Sequence, residues 1–254
     1  MDPVYLRIRK RARQIISTYP PADFYVDFKA EGKNSRRIFE SDSIILELRK
    51  QVGRHLENDF GHGIRHANKV TVDAGTLMQV EARRRGLSEK VTERNTIIVQ
   101  CAGLLHDVKR KRHDHAVKGA DHAGRLLSSY SLTETEISHI CYAIRSHEAF
   151  TPTTAPESRD GVLISDCLYD ADKFRWGPDN FADTVWDMVS SFNTPLNTFI
   201  DHYPDGMQGL HRIKKTFRTE TGKKYGLQFI DMGIAIGEEL YRVINTEFAP
   251  GNHR

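Results

Sequence analysis

Long apolar runs are missing from this chain of 254 residues. No segment approaches the roughly 20 consecutive apolar residues that a membrane-spanning helix needs. The N-terminal residues, MDPVYLRIRKRARQ, contain no apolar h-region and so do not resemble a secretory signal. These absences predict a cytoplasmic protein without a membrane segment.

Cysteine is also scarce. Cys101, Cys141 and Cys167 are an odd number of widely spaced residues, and the sequence contains no C-x-x-C pair. Each lies among apolar neighbours, which is typical of buried, reduced cysteines in a cytosolic protein rather than of a disulfide framework. We therefore assign the three cysteines to the core.

Repeats, low-complexity tracts and interdomain linkers are absent too. With 39% hydrophobic and 28% charged residues, the composition is that of an ordinary globular protein. Apolar residues recur at helical spacing along most of the chain, so we expect a single all-α domain over residues 1–254, with its functional motifs in about 55–180. Segment 24–40 is the exception, because FYVDF and RRIFE flank EGKN and predict a short hairpin.

The net charge is only +3, but basic residues cluster at 7–13, 83–85 and 109–112. Such clusters can bind nucleic acid. No aromatic platform accompanies them, so the first two are better interpreted as solvated helix faces, while nucleic acid stays open as a partner. The third cluster, KRKR, differs because it begins two residues after a histidine–aspartate pair.

Histidine and aspartate gather at predicted helix ends. His66 lies near the start of one helix, His106 and Asp107 end the most apolar helix, and Asp172 lies near the end of another. Adjacent helical residues point about 100° apart, so His106 and Asp107 can reach a common metal only at a helix end. The pair alone would equally fit a histidine on the negative end of a helix dipole. Together, the four residues form an H…HD…D pattern of metal ligands.

This ordered set resembles the HD-domain superfamily of metal-dependent phosphohydrolases. The matching motifs are GHGIRHANKV (61–70), LLHDVKR (104–110), HAVKGADHA (115–123), IRSHE (144–148) and YDADKF (169–174). The resemblance implies an all-α HD-domain helical bundle, here with additional N- and C-terminal helices. It also implies a divalent transition metal (Mn, Fe, Co, Ni or Zn) held by His66, His106, Asp107 and Asp172.

The remaining histidines bear on the number of metals. HAVKGA and IRSHE resemble the elements that supply two further histidines in HD proteins with two metals, which implies His115 and His147 as additional ligands. His122, two helical turns beyond His115, is the substitute candidate. His62 is interpreted as a helix-start residue or one that faces the phosphate. One or two metals per chain are therefore expected, the alternative being that the extra histidines are surface residues.

The KRKR cluster predicts Lys109 and Arg110 at the rim of the metal site. Arg110 occupies the place where many HD phosphodiesterases carry a basic residue, whereas HD nucleotide monophosphatases and guanosine tetraphosphate hydrolases usually carry glutamate. A guanidinium can bind two phosphate oxygens at once. Beside a metal that activates water and polarises a phosphoryl oxygen, Asp107, Lys109 and Arg110 are the catalytic candidates.

These features predict a phosphohydrolase acting on a small phosphomonoester or phosphodiester, foremost a nucleotide. Two alternatives stay open: a two-iron oxygenase similar to inositol oxygenase, and a non-catalytic HD module that binds a nucleotide or a partner. A homo-oligomer is left open as well.

Two segments beyond the motifs carry weaker predictions. The aromatic residues Phe174, Trp176 and Phe181 either wall a substrate pocket or form an ordinary core cluster. The basic stretch 209–226 either covers the site or binds a polyanion.

Overall fold

The structure is a computed structural model that describes residues 2–56, 63–151 and 158–248. Within these ranges the chain forms α-helices and one π-helical turn but no strand, which confirms the expected all-α fold. The helices are α1 (Pro3–Ile16), α2 (Asp23–Asp27), α3 (Lys29–Ser41), α4 (Ser43–Leu56), α5 (Ile64–Arg84), α6 (Glu89–Leu105), α7 (His115–Leu127), α8 (Glu134–Arg145), α9 (Arg159–Phe174), α10 (Val185–Ser191), α11 (Leu196–Ile213) and α12 (Glu220–Glu247), with the π-helical turn at Asn180–Thr184. None of these helices is long and apolar enough to cross a membrane.

The crossing of α5 and α6 is the centre of the bundle, and α3, α4, α8 and α9 pack around this pair. Gly103 lets the two helices approach closely, because a Cβ atom at this position would lie 2.8 Å from the Cα atom of Thr71. His106 follows Gly103 by three residues and His66 precedes Thr71 by five. The close crossing therefore brings the C-terminal end of α6 beside the first turn of α5.

Local capping sets where the motif-bearing helices begin. The Ser88 side chain accepts a hydrogen bond from the Val91 N–H at the start of α6. Thr133 and Glu136 form a reciprocal capping box at the start of α8. Because a helix advances by a constant rise per residue, these starting points help to determine where His106 and His147 emerge at the opposite ends.

Segment 24–40 is helical, so the predicted hairpin is wrong. The buried residues of α3 are Glu31, Ser35, Ile38 and Phe39, whose spacing follows the period of a helix rather than the alternation of a strand. Gly32 does not mark a turn. It lies inside α3, where a Cβ atom would come within 3.9 Å of the Thr76 hydroxyl on α5.

The longest helix, α12, is attached to the bundle by two buried carboxylates. Asp170 on α9 accepts hydrogen bonds from the Arg218 N–H (2.9 Å), the Thr219 N–H (2.8 Å) and the Thr219 hydroxyl (2.7 Å). Glu81 on α5 accepts from the Thr221 N–H at 2.9 Å and from its hydroxyl. These bonds satisfy N–H groups at the start of α12 that have no partner within the helix.

We expect Asp170→Asn to lower the free energy of unfolding by about 1–3 kcal/mol, because both carboxylate oxygens accept hydrogen bonds and the amide NH₂ that replaces one of them cannot, whether it faces Arg218 or Thr219. Urea denaturation measures the change. The matched control is Asp166→Asn on the same helix, since the Asp166 carboxylate lies 4.0 Å from its nearest ion-pair partner, Arg218. Equal midpoints for wild type and Asp170→Asn would contradict the anchoring role.

Candidate metal centre

Histidines and aspartates from five helices meet at one end of the bundle. His66 lies in the first turn of α5, and His106 and Asp107 directly follow α6. His115 is the first residue of α7, His147 follows α8 by two residues, and Asp172 lies in the last turn of α9. All six residues predicted as ligands are therefore brought together.

Asp107 lies between two groups of imidazoles, and each of its carboxylate oxygens faces one of them. In the first group, Asp107 Oδ2 is 3.9 Å from His66 Nε2 and 3.5 Å from His106 Nε2. The two imidazole nitrogens are 3.3 Å apart. Asp172 Oδ1 completes this group at 3.3 Å from His66 Nε2 and 3.8 Å from His106 Nε2.

The second group consists of His115 and His147 around the other oxygen of Asp107. Asp107 Oδ1 is 3.5 Å from His115 Nε2 and 3.4 Å from His147 Nε2. The two Nε2 atoms are 3.3 Å apart. The ligand atoms of His66, His106 and Asp107, and those of Asp107, His115 and His147, thus form two groups that could each hold a metal ion.

Backbone carbonyls orient the imidazoles. His106 Nδ1 is 2.8 Å from the Gly103 carbonyl oxygen, and His147 Nδ1 is 2.6 Å from that of Ile144. A carbonyl oxygen only accepts, so Nδ1 carries the proton in both rings, and a neutral ring then presents an unprotonated Nε2. This arrangement is typical of histidine ligands in metal sites.

Burial keeps the His106 ring neutral. The side chain is fully buried, and this burial lowers the pKa of His106 to about 4, although Asp107 and Asp172 oppose the shift. The pKa of His115 is lowered as well, again chiefly by burial. At neutral pH the His106 Nε2 lone pair therefore faces carboxylate oxygens of Asp107 and Asp172. A cation bound between these acceptors would offset their mutual repulsion.

The spacing of the donor atoms suits such a cation. Metal–nitrogen and metal–oxygen bonds of about 2.0–2.2 Å place neighbouring ligand atoms roughly 3.0–3.5 Å apart. The separations of 3.3–3.9 Å within the first group and 3.3–3.5 Å within the second are close to this range. Imidazole and carboxylate donors together suit a divalent transition metal.

Lys173 holds Asp172 in its ionised form. Its Nζ atom donates to Asp172 Oδ2 at 2.6 Å and to the His147 carbonyl at 3.0 Å. Burial alone would raise the pKa of Asp172, but Lys173 and the neighbouring histidines reverse this and hold the pKa well below its usual range. Asp170, two residues earlier, points instead to the start of α12, so of the two aspartates in YDADKF it is Asp172 that faces the histidines.

Arg110 lies at the rim of the site, as predicted. Its Nη1 atom is 3.2 Å from His115 Nε2 and 3.6 Å from Asp107 Oδ1. Its side chain is 41% exposed, so the guanidinium remains open to a ligand from solvent. Lys109 is half-buried and does not line the cavity in front of the histidines.

The other histidines lie elsewhere. His122 lies two turns along α7 from His115 and belongs to neither group, whereas His115 belongs to the second group. His113 is exposed beside Asp114, with 2.7 Å between the imidazole and the carboxylate. His62 falls outside the described residues.

The metal centre opens into a cavity of about 470 Å³. Trp176 and Phe181 line this cavity, as one interpretation of the sequence predicted. Phe174 does not, because it is stacked on Phe229 in the core with 4.3 Å between the ring centroids. The aromatic segment is thus divided between pocket wall and core.

Sequence patterns missed three residues that shape the site. Lys173 and Glu148 lie inside the motifs YDADKF and IRSHE, next to Asp172 and His147, but were given no role from the sequence; Glu148 Oε1 is 3.3 Å from His115 Nδ1. Arg175 is buried and donates to Asp73 and, at 2.5 Å, to Asp179. Its partner Asp73 is 102 positions away in the chain, so no local pattern could have identified the pair.

Comparison with known proteins gives one similar solved structure, described as a predicted HD superfamily hydrolase from an uncultured Thermotogales bacterium. The identity is 23%, the match covers 78% of this chain and 89% of that chain, and the TM-score is 0.46. No family model and no curated protein matches the chain.

We expect metal-loaded wild-type protein to contain about two metal ions per chain, because two groups share Asp107. His147→Ala should reduce the content to about one, since the second group then keeps a single imidazole. His122→Ala, on the same helix as His115 but in neither group, is the control and should leave the content unchanged. Elemental analysis by mass spectrometry measures the ratio. A wild-type content of one under metal excess would eliminate the second group.

Asp107→Ala should abolish the stabilisation by metal, because both groups lose their shared carboxylate. Metal at 100 times its Kd should raise the free energy of unfolding of the wild type by about 2.7 kcal/mol for each site that it fills, and that of Asp107→Ala by almost nothing. Asp170→Asn is the matched comparison, since it should lower stability yet keep the metal-dependent increase. Thermal unfolding with and without metal distinguishes the two aspartates. An unchanged metal response in Asp107→Ala would contradict the assignment.

Proposed function

We propose that the protein is a metal-dependent phosphohydrolase of the HD-domain type that acts on a small phosphate monoester or diester. The observation that supports this most strongly is the position of Asp107, with imidazoles on both sides and Arg110 above it at the rim. The order of the motifs along the sequence supports the same assignment. Among small phosphate esters, a nucleotide is the substrate that the sequence favours.

His66, His106, Asp107 and Asp172 would hold one metal, and Asp107, His115 and His147 a second. A divalent transition metal supplies a Lewis acid for the phosphoryl oxygen and a water of lowered pKa at neutral pH. In His106 and His147 a hydrogen bond from Nδ1 to a backbone carbonyl fixes the orientation of the ring and of its Nε2 atom. These rings would therefore need little rearrangement to bind a metal. Lys173 keeps Asp172 anionic and in place.

Arg110 would bind the phosphate. The guanidinium lies within 3.6 Å of Asp107 and beside His115, so a phosphoryl group bound in front of the histidines can contact it. A planar guanidinium can hold two phosphoryl oxygens and stabilise the negative charge that builds on them in the transition state. Lys109 does not line the cavity, so it would act on the anionic substrate through longer-range attraction and not through direct contact.

The assignment is tested with metal-loaded protein and a panel of phosphate esters, including 4-nitrophenyl phosphate, bis(4-nitrophenyl) phosphate and nucleotides. We expect Arg110→Ala to lower kcat by about 10²–10³, the usual effect of removing a preorganised donor to a developing charge. Arg110→Lys should recover part of this loss, since lysine keeps the charge but not the planar fork. Metal content should not change in either variant.

Arg112→Ala is the matched control, because Arg112 belongs to the same basic cluster but is exposed and does not line the cavity. Its kcat should equal that of the wild type. If Arg110→Ala and Arg112→Ala hydrolyse the best ester at the wild-type rate, Arg110 has no catalytic role.

The same six residues would also suit a two-iron oxygenase, and the second imidazole group is the observation that favours this alternative. A metal-loaded protein that hydrolyses no ester but consumes oxygen in the presence of a substrate would establish the oxygenase. Binding of a nucleotide without turnover or oxygen uptake would instead indicate a non-catalytic module.

A further inference from the structure

We propose that the substrate carries a single phosphoryl group on an apolar organic group, which binds in the part of the cavity away from the metal centre. The inference rests on the proposed function, since it names the class of phosphate ester that the site accepts. It follows from an uneven distribution of polarity along the cavity of about 470 Å³.

The charged residues that line the cavity lie near the metal centre, and most are already engaged. Lys173 is bonded to Asp172, and Arg175 to Asp73 and Asp179. Arg110 differs from these two residues, because its guanidinium is no closer than 3.6 Å to a carboxylate oxygen among the described residues that line the cavity or contact it. One such cation suits one phosphoryl group. A polyphosphate or a nucleic acid would need further cations along its path.

The far part of the cavity has an apolar floor. Phe181, Leu210 and Ile213 are buried there, and the half-buried Phe199 and Val185 lie beside them. The Tyr203 hydroxyl is buried but donates to the Gly237 carbonyl at 2.8 Å, so its proton is not available to a ligand. An organic group that enters this region would replace water with apolar contacts.

Exposed apolar side chains also line the cavity, alongside the exposed side chains of His202 and Arg110. Phe150 is 64% exposed, Met188 42% and Trp176 37%, and all three line the cavity. Large apolar side chains clustered in solvent around a concave site are typical of a binding surface for an apolar ligand. They make an alkyl or aryl group a better fit than a sugar, whose hydroxyls need hydrogen-bonding partners.

A nucleoside is the main competitor, because its base is flat and partly apolar. Asn180, Thr184 and His202 supply an amide, a hydroxyl and an imidazole to the cavity, but the apolar side chains outnumber them. A ribose and a base would place several polar atoms against apolar side chains. Each polar atom that loses its hydrogen bonds to water without forming one to the protein lowers the affinity. The geometry therefore favours an alkyl or aryl phosphate over a nucleotide.

The test measures binding rather than turnover. n-Alkylphosphonates from methyl to octyl cannot be hydrolysed at their C–P bond, and their affinities for metal-loaded protein can be determined by calorimetry. We expect Kd to fall by about fourfold for each added methylene until the cavity is full. Octylphosphonate should bind more tightly than adenosine 5′-monophosphate.

A pair of glycine variants locates the apolar group. Gly206 lines the cavity, Gly209 does not, and both lie in α11 with no atom within 4 Å of an added Cβ. Phenylalanine favours a helix more than glycine does, so neither Gly206→Phe nor Gly209→Phe should disturb folding. Gly206→Phe should weaken octylphosphonate binding by roughly tenfold or more, as expected when two methylenes are no longer buried, and leave methylphosphonate binding unchanged. Gly209→Phe should bind the whole series like the wild type.

An affinity that does not change with chain length, tighter binding of the nucleotide, no binding of any phosphonate, or equal effects of the two glycine variants would each overturn the inference. Hydrolysis of ethyl, butyl and octyl phosphates is measured separately. Length-dependent binding without hydrolysis would support the apolar cavity and contradict the phosphohydrolase. Hydrolysis of these phosphates, with phosphonate affinities that do not depend on chain length, would support the phosphohydrolase and contradict the apolar cavity.

Discussion

The buried carboxylate of Asp107 is the constraint on which the arrangement of this protein depends. Only 2% of its surface is exposed, and an ionised carboxylate loses several kcal/mol of hydration when it is buried. Four imidazoles within 3.9 Å, together with the guanidinium of Arg110, surround it. The neutral ring of His106 cannot balance the charge, so cations between the groups would stabilise the arrangement. Binding of a metal there would couple to the stability of the fold.

Helix α9 shows how closely structural and chemical roles are interleaved. Asp170 anchors α12, Asp172 faces the histidines, Lys173 keeps Asp172 ionised, and Arg175, just beyond the helix, pairs with Asp73 on α5. Burial of Arg175 disfavours its charge, yet Tyr25, Asp73 and Asp179 together raise its pKa above the usual value. Each of these four charged groups thus has a charged or hydrogen-bonding partner, which is the condition under which buried charges are tolerated.

The cavity divides the site into a charged end and an apolar end, and the two ends come from different parts of the chain. The charged end comes from helix termini of the central bundle, where backbone carbonyls can orient histidines. The apolar end comes from the segment after α9, from the π-helical turn to α11, which packs on α12. If the proposed function holds, substrate selection could vary through α10 and α11, which supply none of the six candidate ligands.

The sequence by itself determined the helical class and the H…HD…D order, because the 3.6-residue period and the position of a histidine–aspartate pair at a helix end are local properties. Other outcomes needed the tertiary structure. His115 and His122 lie on one face of α7, about 10.5 Å apart along its axis, so only the packing of α7 against α6 and α8 selects His115. Phe174 is buried against Phe229 of α12, whereas Trp176 is left partly exposed at the cavity. Residues 24–40 are helical because neighbouring helices bury one face of α3.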